Sequence, residues 1–234
     1  INKDGFPDLY VTNDYDEPDY LYLNNGDGTF TDVIKQQPKH ISNFGMGEDI
    51  ADINNDQLPD IFVADMTPAD NYRQKTTMRP MSPDKFYKMV EFGFHHQYMY
   101  NSLQLNNGNN SFSEIAQFAN VSQTDWSWAT LLMDFNNDGN RDLFVSNGYR
   151  KEISNKDYLN NRKKIIDSAK GTSRQNREQV LKKLIDEIPS AHLPNFIFEN
   201  KGDLTFADRS KEWGVAVPTY SNGATAAEDG RAHV

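Results

Sequence analysis

There is no cysteine anywhere in the 234 residues, so neither a disulfide framework nor a thiolate metal site is available, and stability must come from packing or from a metal held by other ligands. No apolar run comes near the roughly 18 residues needed to cross a bilayer, so this segment carries no membrane span. Cations are also scarce. Against 34 Asp and Glu there are 24 Lys and Arg, a net charge of -10, which argues against a nucleic-acid groove, since that would need a basic face to neutralise phosphates. With five histidines and no cysteine, no set of nucleophile, base and orienting acid stands at a recognisable spacing. No catalytic residue is assigned, and the chain reads as a non-enzyme.

What is present suits a globular, β-rich chain: 37% hydrophobic residues, 12% of all residues aromatic. It opens inside a motif, Ile1-Asn2-Lys3-Asp4-Gly5, without an initiator methionine or a signal peptide, and reads as part of something longer. That motif recurs. Asn2-Lys3-Asp4-Gly5-Phe6-Pro7-Asp8 returns as Asp52-Ile53-Asn54-Asn55-Asp56-Gln57-Leu58-Pro59-Asp60 and as Asp134-Phe135-Asn136-Asn137-Asp138-Gly139-Asn140-Arg141-Asp142. Each copy runs into a β-branched and aromatic stretch that predicts a strand: Leu9 to Asn13, Ile61 to Asp65, Leu143 to Asn147.

A second signature lies between the copies. Asn24-Asn25-Gly26, Asn106-Asn107-Gly108 and Asn200-Lys201-Gly202 each follow an apolar run and precede Phe30, Phe112 and Phe206, which predicts a hairpin turn. Phe30, Phe44 and Asp52 are separated by intervals of 14 and 8 residues, and both intervals return at Phe112, Trp126 and Asp134 and at Phe206, Tyr220 and Glu228. Asp8 and Asp60 are 52 residues apart, a period that holds one four-stranded propeller blade. Repeat units are placed at about 1–51, 52–133 and 134–227, with helical insertions at about 68–98 and 150–192. In the first insertion Ser82-Pro83-Asp84 starts a short helix with Phe86, Met89 and Val90 on one face and Gly93 as its stop. In the second, Val180, Leu181, Leu184, Ile185 and Ile188 make one stripe, started near Thr172-Ser173 and ended by Pro189, with Ser154 to Ala169 as an antiparallel partner. Both insertions are expected to decorate the rim with their apolar stripes packed on their own domain.

The spacing D-x-N-x-D-G-x-x-D sets side-chain oxygens at loop positions one, three, five and nine and a backbone carbonyl at seven, a donor set for a hard cation. The second copy supplies Asp52, Asn54, Asp56 and Asp60 with the Leu58 carbonyl, and the third Asp134, Asn136, Asp138 and Asp142 with the Asn140 carbonyl. Zinc would want nitrogen or sulfur and magnesium a tighter, wetter octahedron, so Ca2+ is the expected ion. Carboxylates gathered on one turn repel by up to about 4 kcal/mol per close pair at an effective dielectric near 20, a cost that the ion removes. An EF-hand is excluded, because position twelve is Val63 or Val145, within a predicted strand. The first copy, with Asn2, Asp4, Asp8 and the Phe6 carbonyl, lacks its position-one ligand and is expected to be weak or empty. Gln57 stands where glycine would ease a positive φ, and Glu228 begins a fourth copy that does not continue, to which no metal is assigned.

These residues resemble FG-GAP/VCBS repeats, as in integrin α-subunit propellers and in the bacterial cartilage-acidic-protein-like group that often also carries an ASPIC/UnbV region, of which no segment is seen here. The resemblance covers nearly the whole chain apart from the two insertions. Phe44-Gly45-Met46-Gly47 corresponds to the FG part of the repeat, Trp126-Ser127-Trp128-Ala129 is its looser counterpart, and the loops at Asp52 and Asp134 correspond to the family's calcium loops. The resemblance implies an all-β fold, a β-propeller fragment of about three four-stranded blades with helical insertions, its missing blades being one set of partners. It also implies a secreted, periplasmic or cell-surface protein, where millimolar calcium suits weak sites.

Three function classes follow: a calcium-stiffened module that binds an extracellular protein or a glycan, a non-catalytic propeller domain of a polysaccharide-active lyase or hydrolase, and catalysis by the propeller itself. His95-His96 is a poor chelate, because neighbours diverge on strand or helix alike, and is expected to be structural. Trp126 and Trp128 could offer a sugar platform, but the register of Trp126 with Phe44 and Tyr220 makes them packing aromatics.

Overall fold

The computed structural model describes residues 1–78, 81–168, 170 and 174–227. The first sheet is antiparallel and three-stranded: β1 (Leu9–Val11), β2 (Tyr20–Asn24) and β3 (Phe30–Asp32), with Tyr10 opposite Leu21 and Asn24 opposite Phe30. Its β2–β3 turn closes as the Asn/Gly signature predicts, Asn25 N–H donating to the Thr29 carbonyl at 3.0 Å and Gly26 taking φ 76°.

After the two-residue β4 (Ile41–Ser42), the second sheet begins with β5 (Gly47–Ala51) and β6 (Asp60–Ala64). Helices α1 (Asn71–Thr77) and α2 (Pro83–Glu91) intervene, then β7 (Gln97–Tyr98), which pairs parallel with β4. The sheet resumes with β8 (Ser102–Asn106) and β9 (Phe112–Glu114), in the order β5-β6-β8-β9. The third sheet repeats this plan with β10 (Ser127–Met133) and β11 (Asp142–Asn147). It is interrupted by α3 (Lys156–Ser168), α4 (Arg174–Asp186) and β12 (Leu193–Pro194), and completed by β13 (Phe196–Asn200) and β14 (Phe206–Asp208). The two-residue β15 (Pro218–Thr219) pairs with β12. The chain is thus mostly β, built of antiparallel sheets without a closed barrel among the described residues. Residues 52 and 134 fall between the first and second strands of a sheet, so each four-stranded sheet draws its first strand from residues ahead of the repeated loop.

The sheets pack in series. Strand β6 is buried on both faces: Ile61 and Val63 join Tyr10, Leu21 and Ile41 in one core, and Phe62 and Ala64 join Leu103, Leu143 and Val145 in the other. That is why β6 reads as an unbroken apolar run rather than an alternating one, each large side chain contributing about 2 kcal/mol by its removal from water. The corresponding outward face of the first sheet is open, with Leu9 at 50% and Val11 at 41% exposure. Gly47 sets the spacing between the second and third sheets. A Cβ there would stand 2.0 Å from the Trp128 carbonyl oxygen, and one at Gly45 would stand 2.9 Å from Cβ of Thr12. The glycines of the Phe44-Gly45-Met46-Gly47 segment are therefore places where backbone and side chains of neighbouring sheets meet too closely for any other residue.

In the first insertion, the side chain of Ser82 caps α2 by accepting the Lys85 N–H, Pro83 occupies the first turn, and Gly93 follows the helix at φ 91°. The preceding α1 is not among the expected helices; the Asp70 side chain caps it by accepting the Arg73 N–H at 2.8 Å. Its Arg73 reaches into a semi-buried cluster, donating to Asp125 from Nε at 2.5 Å and to Glu152 from Nη1 at 2.9 Å, so the two insertions are tied to each other and to the entry of the third sheet. In the second insertion the stripe on α4 is not packed on its own domain as expected. Leu184 is buried, Val180 and Ile188 are half-buried, and Leu181 and Ile185 are 59% and 52% exposed. The expected helix start at Thr172-Ser173, the end of the expected partner helix at Ala169 and the incipient copy at Glu228 lie outside the described residues.

Candidate metal loops

The three copies of the repeated motif take one backbone path. Position four is left-handed in each, at Lys3 (φ 60°), Asn55 (61°) and Asn137 (60°), and so is position six, at Gly5 (90°), Gln57 (68°) and Gly139 (89°). Glycine bears this conformation without steric cost, whereas Gln57 holds it with its Cβ crowding the following carbonyl, at about 1 kcal/mol.

The loops are wound by side-chain to backbone hydrogen bonds. In the third, the Asp138 N–H donates to Asp134 Oδ1 (3.1 Å) and Asn136 Oδ1 (3.0 Å), that of Gly139 to Asp134 Oδ2 (2.9 Å), and that of Asn140 to Asp138 Oδ1 (2.8 Å). The second reproduces the set: Asp56 N–H to Asp52 and Asn54, Gln57 N–H to Asp52, Leu58 N–H to Asp56. The first keeps Asp4 N–H to Asn2 and Phe6 N–H to Asp4. The backbone N–H two residues on, Asn140 for Asp138 and Phe6 for Asp4, and then the side-chain amide of Asn136 or Asn2 hold these two carboxyls below the usual carboxylate range.

Position nine plays a different part. Asp142 is fully buried; its Oδ2 accepts the Phe135 N–H at 3.0 Å and its Oδ1 the Asn200 N–H at 2.9 Å. Asp60 accepts from Ile53 (3.0 Å) and Asn106 (2.8 Å), and Asp8 from Asn24 (2.9 Å) and the amino group of Ile1 (2.8 Å). Each of these carboxylates staples the start of its loop to the last residue of a strand elsewhere in its sheet. Burial pushes Asp60 up to about 6 and raises Asp142, the two donated N–H groups opposing the shift in each case.

The staple's second residue is the first Asn of the hairpin signature, and it does three jobs. Asn200 donates its N–H to Asp142, accepts the Gly202 N–H at 2.9 Å, and sends Nδ2 to the carbonyls of Arg141 (3.0 Å) and Ile53 (2.8 Å). Asn106 does the same with Asp60, Gly108, Pro59 and Ile1. Since Ile53 and Ile1 belong to the loop of the preceding sheet, these amides join one sheet's loop to the next, and Asn55 Nδ2 adds a bond to the Gly139 carbonyl at 3.3 Å. The sequence displayed these asparagines in every hairpin signature, but their role was not legible there, because the partner lies at a different distance in each copy.

Position five, Asp56 or Asp138, therefore lies at the exposed tip of each complete loop with the side chains of positions one and three bonded to its N–H, and position nine is drawn beneath with both oxygens bonded to backbone N–H groups. At position seven, the Phe6 ring and the Leu58 side chain lie over Gly26 and Gly108, where a Cβ would meet them at 2.6 and 3.1 Å. Among the described residues no three His, Cys, Asp or Glu side chains converge as a metal-ligand group. The tips carry carboxylate and carboxamide side chains, with Nδ2 of Asn54 and Asn136 donating to the carboxylates of Asp56 and Asp138 at 2.9 Å in each loop.

The other candidates are structural. His95 is buried, with Nε2 3.1 Å from the Ile34 carbonyl and Nδ1 accepting the His96 N–H at 2.7 Å, and burial lowers its pKa. Trp126 packs on Tyr149 with ring centroids 4.2 Å apart, as Phe44 does on Tyr15 (5.4 Å) and Tyr220 on His192 (4.4 Å); Trp128 Nε1 donates to the Gly148 carbonyl at 2.8 Å.

A family model described as an FG-GAP-like repeat matches residues 1–63 and 92–145, together half of the chain. The stretch it skips holds α1 and α2, and it ends before α3. No curated protein matches the chain.

Proposed function

This chain belongs to the FG-GAP-like repeat family, and on that footing we propose that it is a non-catalytic repeat scaffold for binding whose loops are stiffened by calcium. The observation that carries the proposal is the identical left-handed pattern at positions four and six of all three loops, which supports one shared path for the turn that bears the donors. Asp52, Asn54 and Asp56, with the Leu58 carbonyl and Asp60 below, would hold one ion, and Asp134, Asn136, Asp138, the Asn140 carbonyl and Asp142 a second. The first loop contributes Asn2, Asp4, Asp8 and the Phe6 carbonyl to a third. Bound calcium would supply positive charge to tips that otherwise gather like charges, and sites of exposed Asp and Asn suit the millimolar calcium found outside the cytoplasm. The scaffold is accordingly assigned to a secreted, periplasmic or cell-surface protein.

Two kinds of partner follow. Leu9 and Val11 hold the positions on the first sheet that Ile61 and Val63 hold on the second, where a sheet covers them. A further sheet of the same kind is the proposed cover. The extracellular ligand, protein or glycan, is assigned to the loops at one end of the sheets.

The test is a melting curve in calcium and in chelator, for the wild type and Asp138→Ala. At calcium about a hundredfold above Kd, linkage contributes about 2.7 kcal/mol, or a shift of about 5–10 °C for a chain of this size. Wild-type curves that superimpose in calcium and chelator would remove the metal from the proposal.

A further inference from the structure

Charge is unevenly spread along the chain. Eleven of the 24 Lys and Arg but only six of the 34 Asp and Glu lie between residues 150 and 192, so the second insertion is cationic on a chain whose net charge is -10. The insertion is an antiparallel hairpin of α3 and α4, joined by Tyr158 Oη donating to the Leu184 carbonyl at 3.1 Å and by Asn161 Nδ2 to Glu187 at 3.2 Å. Its base is held firmly: Glu152 N–H donates to the Pro189 carbonyl at 2.8 Å, Glu152 takes the Arg73 guanidinium, and Lys156 Nζ reaches the Lys75 carbonyl at 2.7 Å.

Between the helices runs an open groove of about 740 Å³. One wall, on α4, is apolar, with Leu181 and Ile185 more than half exposed, and Ile153 closes the foot at 61% exposure. The other wall mixes apolar and cationic groups: Tyr158, Arg162 and Ile166 recur every four residues on α3, and Lys170 lies just beyond its end. Arg162 has no hydrogen-bond or ion-pair partner among the described residues, and Lys170 pairs with Asp167 at the surface.

We propose that this groove receives an amphipathic helix from a protein partner, apolar where it meets Leu181 and Ile185 and acidic along the flank that meets Arg162 and Lys170. The walls repeat at helical spacing, so the ligand whose side chains repeat in step with them is another helix, with acidic residues about two turns apart. Two hairpins docked groove to groove would bring like charge together, which disfavours a second copy in that arrangement. A bilayer would need the apolar side chains on a ridge, and here they line a hollow. Nothing in this inference depends on calcium.

The test uses fluorescence anisotropy of the full chain with two synthetic 18-residue helical peptides that share one leucine stripe and differ only in carrying Glu or Lys on its flank. The Glu peptide is expected to bind about tenfold or more tightly than the Lys peptide, Leu181→Asp and Ile185→Asp to cut that binding about tenfold, and Arg162→Glu to reverse the preference. All three substitutions are at exposed positions, so circular dichroism should be unchanged. Equal binding of the two peptides overturns the proposal. So does capture by phosphatidylserine vesicles without peptide binding, which would assign the groove to a membrane, or dimerisation that Leu181→Asp abolishes, which would assign it to a second copy.

Discussion

Asp142 and Asn200 stand 58 residues apart in the chain, yet the Asn200 N–H donates to the buried Asp142 carboxylate at 2.9 Å, and the same bond joins Asp60 to Asn106 and Asp8 to Asn24. This staple fixes where the repeated loop sits against its own sheet. Asp142→Ala would leave the Phe135 and Asn200 N–H groups unpaired in the interior, at about 2–4 kcal/mol. Urea denaturation in chelator should show that loss undiminished, whereas Asp138→Ala, at the exposed tip, should be nearly neutral under those conditions. Equal effects of the two substitutions in chelator would mean that position nine has no separate structural role.

Gly47→Ala would place a methyl group 2.0 Å from the Trp128 carbonyl oxygen, backbone against backbone. Neither strand can yield without parting the second and third sheets, so a destabilisation of about 3 kcal/mol or more is expected. Gly223→Ala, with nothing within 4 Å of the added carbon, is the control and should change stability by less than about 0.5 kcal/mol.

Gln57 carries φ 68° where the other loops have glycine. Gln57→Gly exchanges strain for freedom in the unfolded chain, and relief of the strain should leave a net gain of a few tenths of a kcal/mol to about 1 kcal/mol. The same substitution should tighten calcium binding at the Asp52 loop if calcium uses this backbone. Isothermal titration separates that gain in affinity from the gain in stability.

Asp19 is buried beneath the first sheet, where it accepts from Tyr10 Oη at 2.7 Å and Asn13 N–H at 2.9 Å. Burial, with Glu48 and Asp65 adding like charge, pushes it up to about 7, and burial pushes Asp65 up to about 6. A carboxyl raised in the folded state keeps its proton there after the unfolded chain has lost it, so stability falls as pH rises. For Asp19 the fall begins above the unfolded value of 3.8, ends near 7, and totals at most about 4 kcal/mol. Denaturation midpoints measured in chelator should decline from pH 4.5 to 7.5, and Asp19→Asn should flatten the decline. An unchanged slope in the variant would assign the pH dependence to other groups.

The open face of the first sheet gives a fifth expectation. Leu9→Lys with Val11→Lys should leave the fold intact, since both side chains are exposed, and should abolish binding of any further repeat sheet supplied as a separate polypeptide. Ile61→Lys, at the equivalent covered position, should instead unfold the core between the first two sheets.

Much of this protein is local, and the sequence determined it. The repeated loop, the strand that follows it and the Asn/Gly hairpin depend on φ preferences and on Asp and Asn side chains bonding N–H groups two to five residues away, so Asp134 to Asn140 could be read as one unit. The α2 boundaries at Ser82 and Gly93 were legible for the same reason. Tertiary structure decided what needs closure over variable distance. The same staple spans 16 residues in one copy and 58 in another, because insertions of different length intervene, and no periodicity marks it. Packing likewise decided that β5 and β10 belong with the strands after the loop, and that the apolar stripe on α4 faces an open groove. A stripe specifies that a helix has an apolar side, while the firm tie of its base through Glu152 and Arg73 sets which way that side points.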